Sequence, residues 1–140
     1  MKFLLDTNVL VSAALFPDGT PGRAYSLVMS APHAVVICDY TVWELRRVFR
    51  AKFPDRLAAA ERFLSGIAPG IHIVPTPDTV TGVELEVIRD RKDWPIVRAA
   101  VAEQVDAIVT GDKDLLDAGL PHPQVLTPAQ FLNHLLTPLP

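Results

Sequence analysis

The sequence predicts an α/β protein with a mainly parallel central sheet. Short apolar runs alternate along the chain with longer amphipathic segments, which is the pattern of strands joined by helices. The short runs are nearly all apolar, as strands are when helices cover both faces of their sheet. The chain has 140 residues, 49% of them hydrophobic and 21% charged. These values fit one globular domain over residues 1–140, with residues 137–140 expected to form a flexible tail.

The five predicted strands are short apolar runs. They are residues 3–5, 34–37, 71–74, 107–109 and 125–126. Many of the 13 prolines stand at junctions between segments, for example Pro75 and Pro77 after the third strand. Since proline interrupts regular structure, these positions separate the elements from one another.

Six helices are predicted from apolar residues that recur at i, i+3 and i+4. They are residues 7–15, 21–31, 40–52, 55–66, 94–104 and 128–136. In the third of them, one apolar arc is formed by Val42, Leu45, Val48, Phe49 and Phe53. A further short helix is expected around Leu115 and Leu116.

Asp6 stands between an apolar strand and an apolar helix, in the run FLLDTNVL. A buried carboxylate is costly unless it is paired, hydrogen-bonded or bound to a metal. One interpretation is that Asp6 caps the next helix by accepting a backbone N–H. The other is that it belongs to a site, because sites in parallel sheets form beyond the carboxyl ends of the strands.

Other acids stand at comparable places. Asp112 and Asp114 follow the strand at 107–109, although each also fits a cap or turn position. Asp93 fits an N-cap, yet it begins the helix face that packs on the sheet. Glu44 borders the apolar arc within its helix, where a surface role is the ordinary alternative.

Taken together, these acids predict a metal site. Several carboxylates that converge repel one another, and helix N-termini relieve only part of that repulsion. A hard divalent cation relieves it, and Mg²⁺ or Mn²⁺ prefers oxygen ligands. The four histidines have no zinc-binding spacing, and the chain has neither a glycine-rich phosphate loop nor a G-x-S-x-G motif. Metal-activated water is the nucleophile that remains.

Four segments in this order resemble the PIN domain. They are FLLDTNVLVSA, VWELRRVFRAKF, RDRKDWPIVRAAVA and DAIVTGDKDLL, and the resemblance covers essentially the whole chain. The sequence is most similar to small bacterial VapC-like toxin components of toxin–antitoxin systems. The resemblance implies a three-layer α/β/α sandwich around a parallel sheet, and an acidic pocket that binds Mg²⁺ or Mn²⁺ to hydrolyse RNA.

The resemblance also implies the site residues. The catalytic acids are Asp6, Glu44, Asp93 and Asp112, and the metal ligands are Asp6, Asp93, Asp112 and Asp114. Asn8 and Thr110 match polar neighbours that orient the site. The chain departs from the pattern after Asp93, where Trp94 and Pro95 stand in place of an acid and then a small or polar residue.

The charge distribution permits an RNA partner despite a net charge of −3. With the five site acids set aside, basic residues outnumber the remaining acidic ones. Arg46, Arg47 and Arg50 lie on the helix face opposite the apolar arc, where they are expected either to be solvated or to contact RNA phosphates.

We therefore expect a cytoplasmic Mg²⁺- or Mn²⁺-dependent ribonuclease, the toxin of a toxin–antitoxin pair. No apolar run is long enough to span a membrane, and the single cysteine fits a reducing compartment. A cognate antitoxin and a homodimer are implied by the resemblance alone. A PIN-like module that binds RNA or protein without cleavage is the alternative. A receiver or phosphatase domain is disfavoured, because the expected middle-strand Asp and late-strand Lys are missing.

Overall fold

The structure, a computed structural model, describes residues 1–30, 34–67, 70–78, 88 and 91–137. The strands in these ranges are β1 (Lys2–Leu5), β2 (Ala34–Cys38), β3 (His72–Val74), β4 (Ala107–Val109) and β5 (Gln124–Leu126). They form one sheet in the order β3-β2-β1-β4-β5, and every neighbouring pair is parallel. The predicted α/β class and parallel sheet are confirmed.

Helices follow the strands along the chain. They are α1 (Thr7–Leu15), α2 (Thr20–Ser30), α3 (Asp39–Lys52), α4 (Leu57–Ile67), α5 (Trp94–Ala102), α6 (Lys113–Leu116) and α7 (Pro128–Leu136). Short 3-10 helices, Pro54–Arg56 and Arg91–Asp93, precede α4 and α5. None of the helices in the described ranges is both long and apolar enough to cross a bilayer.

The sheet separates two hydrophobic cores. Phe3 and Leu5 of β1 enter one core with residues of α1, α2, α3, α4 and α7. Leu4, which points the other way because side chains alternate along a strand, enters the second core with residues of α5 and α6. Helices therefore cover both faces, which explains why β4 and most of β1 and β2 are buried and apolar and confirms the three-layer sandwich.

Most element bounds lie within one residue of the predicted ones, and two bounds differ by two residues. The predicted helix 94–104 ends at Ala102, because Gln104 adopts a positive φ of 54° that a helix cannot continue. The predicted helix 55–66 begins as a 3-10 helix, whose first residue is Pro54. Residue 31 of the predicted second helix and residues 138–140 of the predicted tail lie outside the described residues.

The strand order places a cleft between the carboxyl ends of β1 and β4. From β1 the chain proceeds outward through β2 and β3 on one side, and then through β4 and β5 on the other. The direction therefore reverses between β1 and β4, and such a switch point is where parallel sheets open a ligand crevice. The Asp6 N–H donates to the Val109 carbonyl at 2.9 Å, so Asp6 extends the β1–β4 pairing by one residue into this crevice.

We predict that Gly22→Ala destabilises the fold. A Cβ at Gly22 in α2 would lie 2.3 Å from the Pro17 carbonyl oxygen, a backbone atom that cannot swing away. Overpacking of this kind costs about 1–3 kcal/mol of unfolding free energy. Gly66→Ala is the matched control, since a Cβ there meets no atom within 4 Å and should add about 0.5–1 kcal/mol. Urea titrations measure both values, and equal shifts would contradict the prediction.

Candidate functional site

Four of the predicted acids line one cleft at the switch point. The cleft has a volume of about 370 Å³. Its acidic side chains are Asp6, Glu44, Asp93 and Asp112. They come from four separate segments, so the fold itself brings them together. Asp114, the fifth predicted acid, is exposed on α6 and does not line the cleft.

Asp6 is both a helix cap and a wall of the cleft. Its side chain is buried, with 5% of the residue exposed. Oδ1 accepts a hydrogen bond from the Thr7 N–H at 2.7 Å, as a cap of α1 does. Oδ2 accepts from the Thr110 hydroxyl at 2.8 Å and from Asn8 Nδ2 at 3.2 Å. Asp6 therefore caps α1 through Oδ1 and also lines the cleft, so the cap interpretation and the site interpretation do not exclude each other.

Burial raises the pKa of the Asp6 carboxyl to about 6. The hydrogen bonds from Thr110 and Thr7 favour the ionised form and oppose this effect, while Glu44 and Asp112 add repulsion. Desolvation thus outweighs the hydrogen bonds in the metal-free protein. A cation in the cleft would favour the ionised form.

Asn8 and Thr110, the two residues predicted to orient the site, connect the ends of β1 and β4 by hydrogen bonds. Asn8 Oδ1 accepts from the Gly111 N–H at 2.9 Å, and its Nδ2 donates to Thr110 Oγ1 at 3.2 Å. Thr110 Oγ1 also accepts from the Asp112 N–H at 3.0 Å. These bonds hold the loop that carries Asp112 against the first turn of α1.

Asp112 occupies the N-cap position of α6. Its Oδ1 accepts from the Asp114 N–H at 2.9 Å, while the residue also lines the cleft. Asp114 contributes its backbone to this cap, and its side chain is exposed. The structure therefore brings Asp112 into the acidic group and places Asp114 beside it, on the outer side of the turn.

Asp93 is buried at the start of α5, with 6% of the residue exposed. It stands at the N-cap position but makes no side-chain capping hydrogen bond. Its side chain lines the cleft instead, in agreement with the helix face that its spacing indicates. The adjacent Asp90 lies outside the described residues.

Glu44 reaches the cleft from the middle of α3. Its side chain is 15% exposed, and Oε2 accepts from the Tyr40 hydroxyl at 2.9 Å. Arg47 lies 3.6 Å from the same oxygen, one turn further along the helix. Burial, together with the hydrogen bond to Glu44, raises the pKa of Tyr40 to about 12, so its hydroxyl remains a donor at neutral pH. Glu44 is thus held in place from both sides.

Three basic side chains share the cleft with the acids. They are Arg47, Lys52 and Lys92. The sequence reasoning included Arg47 but missed the two lysines. Lys52 is eight residues after Glu44 and so lies near the same face of α3, and Lys92 immediately precedes Asp93. Their positions relative to these acids could have predicted that both lysines lie at the cleft.

The other two predicted arginines lie elsewhere. Arg46 makes an ion pair with Glu61 of α4, at 2.8 Å between Nε and Oε1. Arg46 and Arg50 line a separate pocket between α3 and α4. The three arginines of α3 therefore do not form one surface, because α4 packs beside two of them.

The oxygen donors of the cleft fit a hard divalent cation. Carboxylates are the ligands that Mg²⁺ and Mn²⁺ prefer. Within the described part of the chain, however, no three His, Cys, Asp or Glu side chains are grouped closely enough to hold a metal. A cation in this cleft would therefore be held by one or two carboxylates with water in the other positions, which is the mode that Mg²⁺ uses.

A sequence profile of the PIN domain matches residues 2–114, which include all four acids of the cleft. The chain belongs to the PIN domain family. The uncharacterized protein MJ1680 of Methanocaldococcus jannaschii is 27% identical over 149 residues, covering 95% of this chain and 90% of the relative. The resemblance seen in the four sequence segments is thus confirmed at the level of the family.

Solved structures show the same fold. PAE2754 from Pyrobaculum aerophilum has a TM-score of 0.70 at 19% identity, covering 96% of this chain and 95% of the other. A chain of VapBC2 from Rickettsia felis, bound to a DNA fragment from their promoter, has a TM-score of 0.69 at 17% identity, covering 91% and 98%. Mycobacterium tuberculosis VapC20, a sarcin–ricin loop cleaving toxin, has a TM-score of 0.60 at 14% identity, covering 84% and 95%.

Trp94 and Pro95 begin α5 immediately after Asp93 of this PIN domain. Trp94 Nε1 donates to the Ile88 carbonyl at 3.2 Å, and the guanidinium carbons of Arg91 and Arg98 lie 5.5 and 5.7 Å from the centre of its ring. Neither residue lines the acidic cleft. The departure from the family pattern therefore changes the surface beside the cleft, while Asp93 keeps its place within it.

We predict that Asp6 makes the stability of the metal-free protein depend on pH. The pKa of its carboxyl is about 6 in the folded state and near the ordinary 3.8 in the unfolded chain. The stability contributed by its proton is therefore fully present below pH 3.8 and is lost as the pH rises through about 6.

In EDTA, the unfolding free energy of the wild type should fall more steeply between pH 4 and 7 than that of Asp6→Asn. Urea titrations at each pH unit measure the two slopes, and the variant removes the titration of Asp6 while leaving the other acids. Equal slopes would contradict the raised pKa.

Proposed function

We propose that this PIN domain is a Mg²⁺- or Mn²⁺-dependent ribonuclease that hydrolyses phosphodiester bonds. The observation that carries the proposal is the convergence of Asp6, Glu44, Asp93 and Asp112 on one cleft at the switch point of the sheet. Such a group of acids is costly for folding, and a divalent cation together with a phosphate substrate accounts for it. The family membership supports the same function.

Each residue of the cleft has a separate role in the proposed reaction. When bound, Mg²⁺ or Mn²⁺ supplies activation of water and neutralisation of charge at the phosphate. Asp6, Asp93 and Asp112 would hold the cation, one or two of them directly and the rest through its bound water, and Thr110 and Asn8 donate hydrogen bonds that fix the Asp6 carboxylate. Glu44, fixed by Tyr40, faces the same space and positions the attacking water. Asp114 supports Asp112 through their shared turn.

Arg47, Lys52 and Lys92 bind the RNA backbone in this proposal. They lie in the same cleft as the acids, so phosphates on either side of the scissile bond meet positive charge next to the cation site. Charge-assisted contacts of this kind position a phosphate chain without reading its sequence.

We further propose that the protein is the toxin of a cytoplasmic toxin–antitoxin pair and acts as a homodimer. The fold that the protein shares with a chain of VapBC2 and with VapC20, a sarcin–ricin loop cleaving toxin, supports this proposal. A separate antitoxin chain would then cover the cleft or its surroundings. Co-purification with the product of a neighbouring open reading frame tests the pairing, and sedimentation tests the dimer.

The alternative is a module that binds RNA or protein without cleaving it. The absence of a closely grouped set of three metal ligands among the described residues favours this alternative. Metal and RNA binding by a folded protein that does not turn over would select it.

The first test is cleavage of structured and unstructured RNAs with Mg²⁺ or Mn²⁺. We expect cleavage that EDTA abolishes and that Asp93→Asn or Asp112→Asn lowers by about a hundredfold or more, because loss even of an outer partner of a metal ligand costs about 10–100-fold. Asp117→Asn is the matched control, since Asp117 is exposed at the end of α6 and does not line the cleft. Full activity in either cleft variant would falsify the assignment.

A second prediction separates the arginines of α3. Arg47→Ala should weaken RNA binding and lower the slope of log affinity against log salt by about one, since one phosphate contact is lost. Arg46→Ala should have a smaller effect, because Arg46 already pairs with Glu61. Arg62→Ala, an exposed residue of α4, is the control. An unchanged slope for Arg47→Ala would remove Arg47 from the proposed contacts.

A further inference from the structure

A second groove lies beside the acidic cleft, with a volume of about 400 Å³. The residues that characterise it are Asp39, Tyr40, Trp43, Asp78, Pro95 and Arg98. It combines helices from both faces of the sheet, because α3 packs in the first core and α5, which carries Pro95 and Arg98, packs in the second. None of the predicted site residues lines it.

Groove and cleft adjoin each other, because two side-chain contacts link the residues that line them. Tyr40 lines the groove, and its hydroxyl donates to Glu44, which lines the cleft. Arg47 connects them as well, since it borders the cleft and its guanidinium lies 5.5 Å from the centre of the Trp43 ring. A chain bound along the cleft can therefore continue into the groove.

Trp43 gives the groove an exposed aromatic face. The residue is 52% exposed, although it belongs to a well-packed helix. Its ring lies 5.6 Å from that of Tyr40, with 38° between their planes. Rings supported in this way are preorganised, and exposed aromatic rings beside basic groups are the platforms on which single-stranded nucleic acids stack their bases.

The polar groups of the groove match a nucleotide. Asp39 Oδ1 accepts from the Tyr40 N–H, the Thr76 N–H and the Thr76 hydroxyl at 2.7, 3.1 and 2.6 Å. Oδ2 takes no hydrogen bond from the residues that the structure describes, so it can accept one from a base. The hydrogen bonds from Thr76 lower the pKa of Asp39, which keeps the carboxylate ionised.

Arg98 brings a basic side chain to the same groove. Its Nε is buried and makes no hydrogen bond within the described part of the chain. The guanidinium packs against the Trp94 ring at 5.7 Å, which fixes its direction. An arginine held by an aromatic ring beside a stacking surface is suited to a phosphate or to a ring carbonyl of a base.

We propose that this groove is a nucleotide subsite, in which an unpaired base next to the scissile bond stacks on Trp43. The carboxylates of Asp39 and Asp78 favour a base edge that carries amino groups, and Arg98 binds the adjoining phosphate. The inference rests on the proposed function for the substrate class, since the continuity with the cleft is what favours RNA over a proline-rich peptide. It adds a preference for single-stranded or looped RNA.

The test uses an unstructured RNA decamer in which 2-aminopurine replaces one base at a time. The Asp93→Asn protein binds it in Mg²⁺ without turnover, and stacking quenches the fluorescence of the probe. We expect quenching at one or two positions and weaker binding of a blunt duplex. Adding Trp43→Ala should abolish the quenching and weaken binding about tenfold or more, because loss of one stacking ring has that effect.

Two further variants distinguish loss of base stacking from loss of folded protein. Trp43→Phe retains a ring and should give partial quenching, with an unchanged circular dichroism spectrum. Phe16→Ala is the matched control, because Phe16 is an exposed aromatic residue, 66% accessible, that lines neither the cleft nor the groove. It should bind and quench as the parent does.

The outcomes distinguish this inference from the proposed function. Metal-dependent cleavage by the wild type with unchanged binding and quenching in Trp43→Ala would overturn the subsite alone. Trp43-dependent quenching without any cleavage would support the subsite and overturn the nuclease. No quenching of RNA, with Trp43-dependent binding of a proline-rich peptide instead, would overturn the subsite in favour of a protein partner.

Discussion

The burial of one carboxylate determines the arrangement of the rest of the site. Asp6 sits at the carboxyl end of the central strand, where desolvation raises its pKa to about 6. Its charge is tolerable only because Thr7, Asn8 and Thr110 all donate to it. Those donors come from α1 and from the end of β4, so the bonds that stabilise Asp6 also fix the crevice between the two strands.

Four acids in one cleft require compensation, and the fold supplies it with positive charge. Arg47, Lys52 and Lys92 share the cleft, and the N-terminus of α1 points its N–H groups at Asp6. The remaining repulsion between the acids is a cost that a bound cation would relieve. Under the proposed function, metal binding and folding are linked, because the charges that would attract a metal destabilise the protein without one.

Much of this could be predicted from local sequence. The strands and most helices follow from periodicity, and the acids stand at element ends that a parallel sheet brings to one edge. The features that local sequence did not predict depend on packing between elements. Arg46 and Arg47 are neighbours, yet Glu61 of α4 engages only the former. Lys52 and Lys92 reach the cleft from segments 40 residues apart. The sequence predicts a helical position for Trp43 and nothing more, because the neighbouring residues do not indicate which groove its exposed ring lines.

The Asp6 carboxylate accepts every hydrogen bond that the described residues make with its side chain. An ionised carboxylate accepts and never donates, so the Thr110 hydroxyl must point its proton at Asp6 and receive the Asn8 and Asp112 N–H groups on its lone pairs. The Asn8 amide is oriented in the same way, with its oxygen left for Gly111. An asparagine at position 6 would place a second donor opposite the Asn8 amide. The negative charge of Asp6 and the direction of the surrounding hydrogen bonds therefore depend on each other. Replacing the carboxylate with an amide would change both.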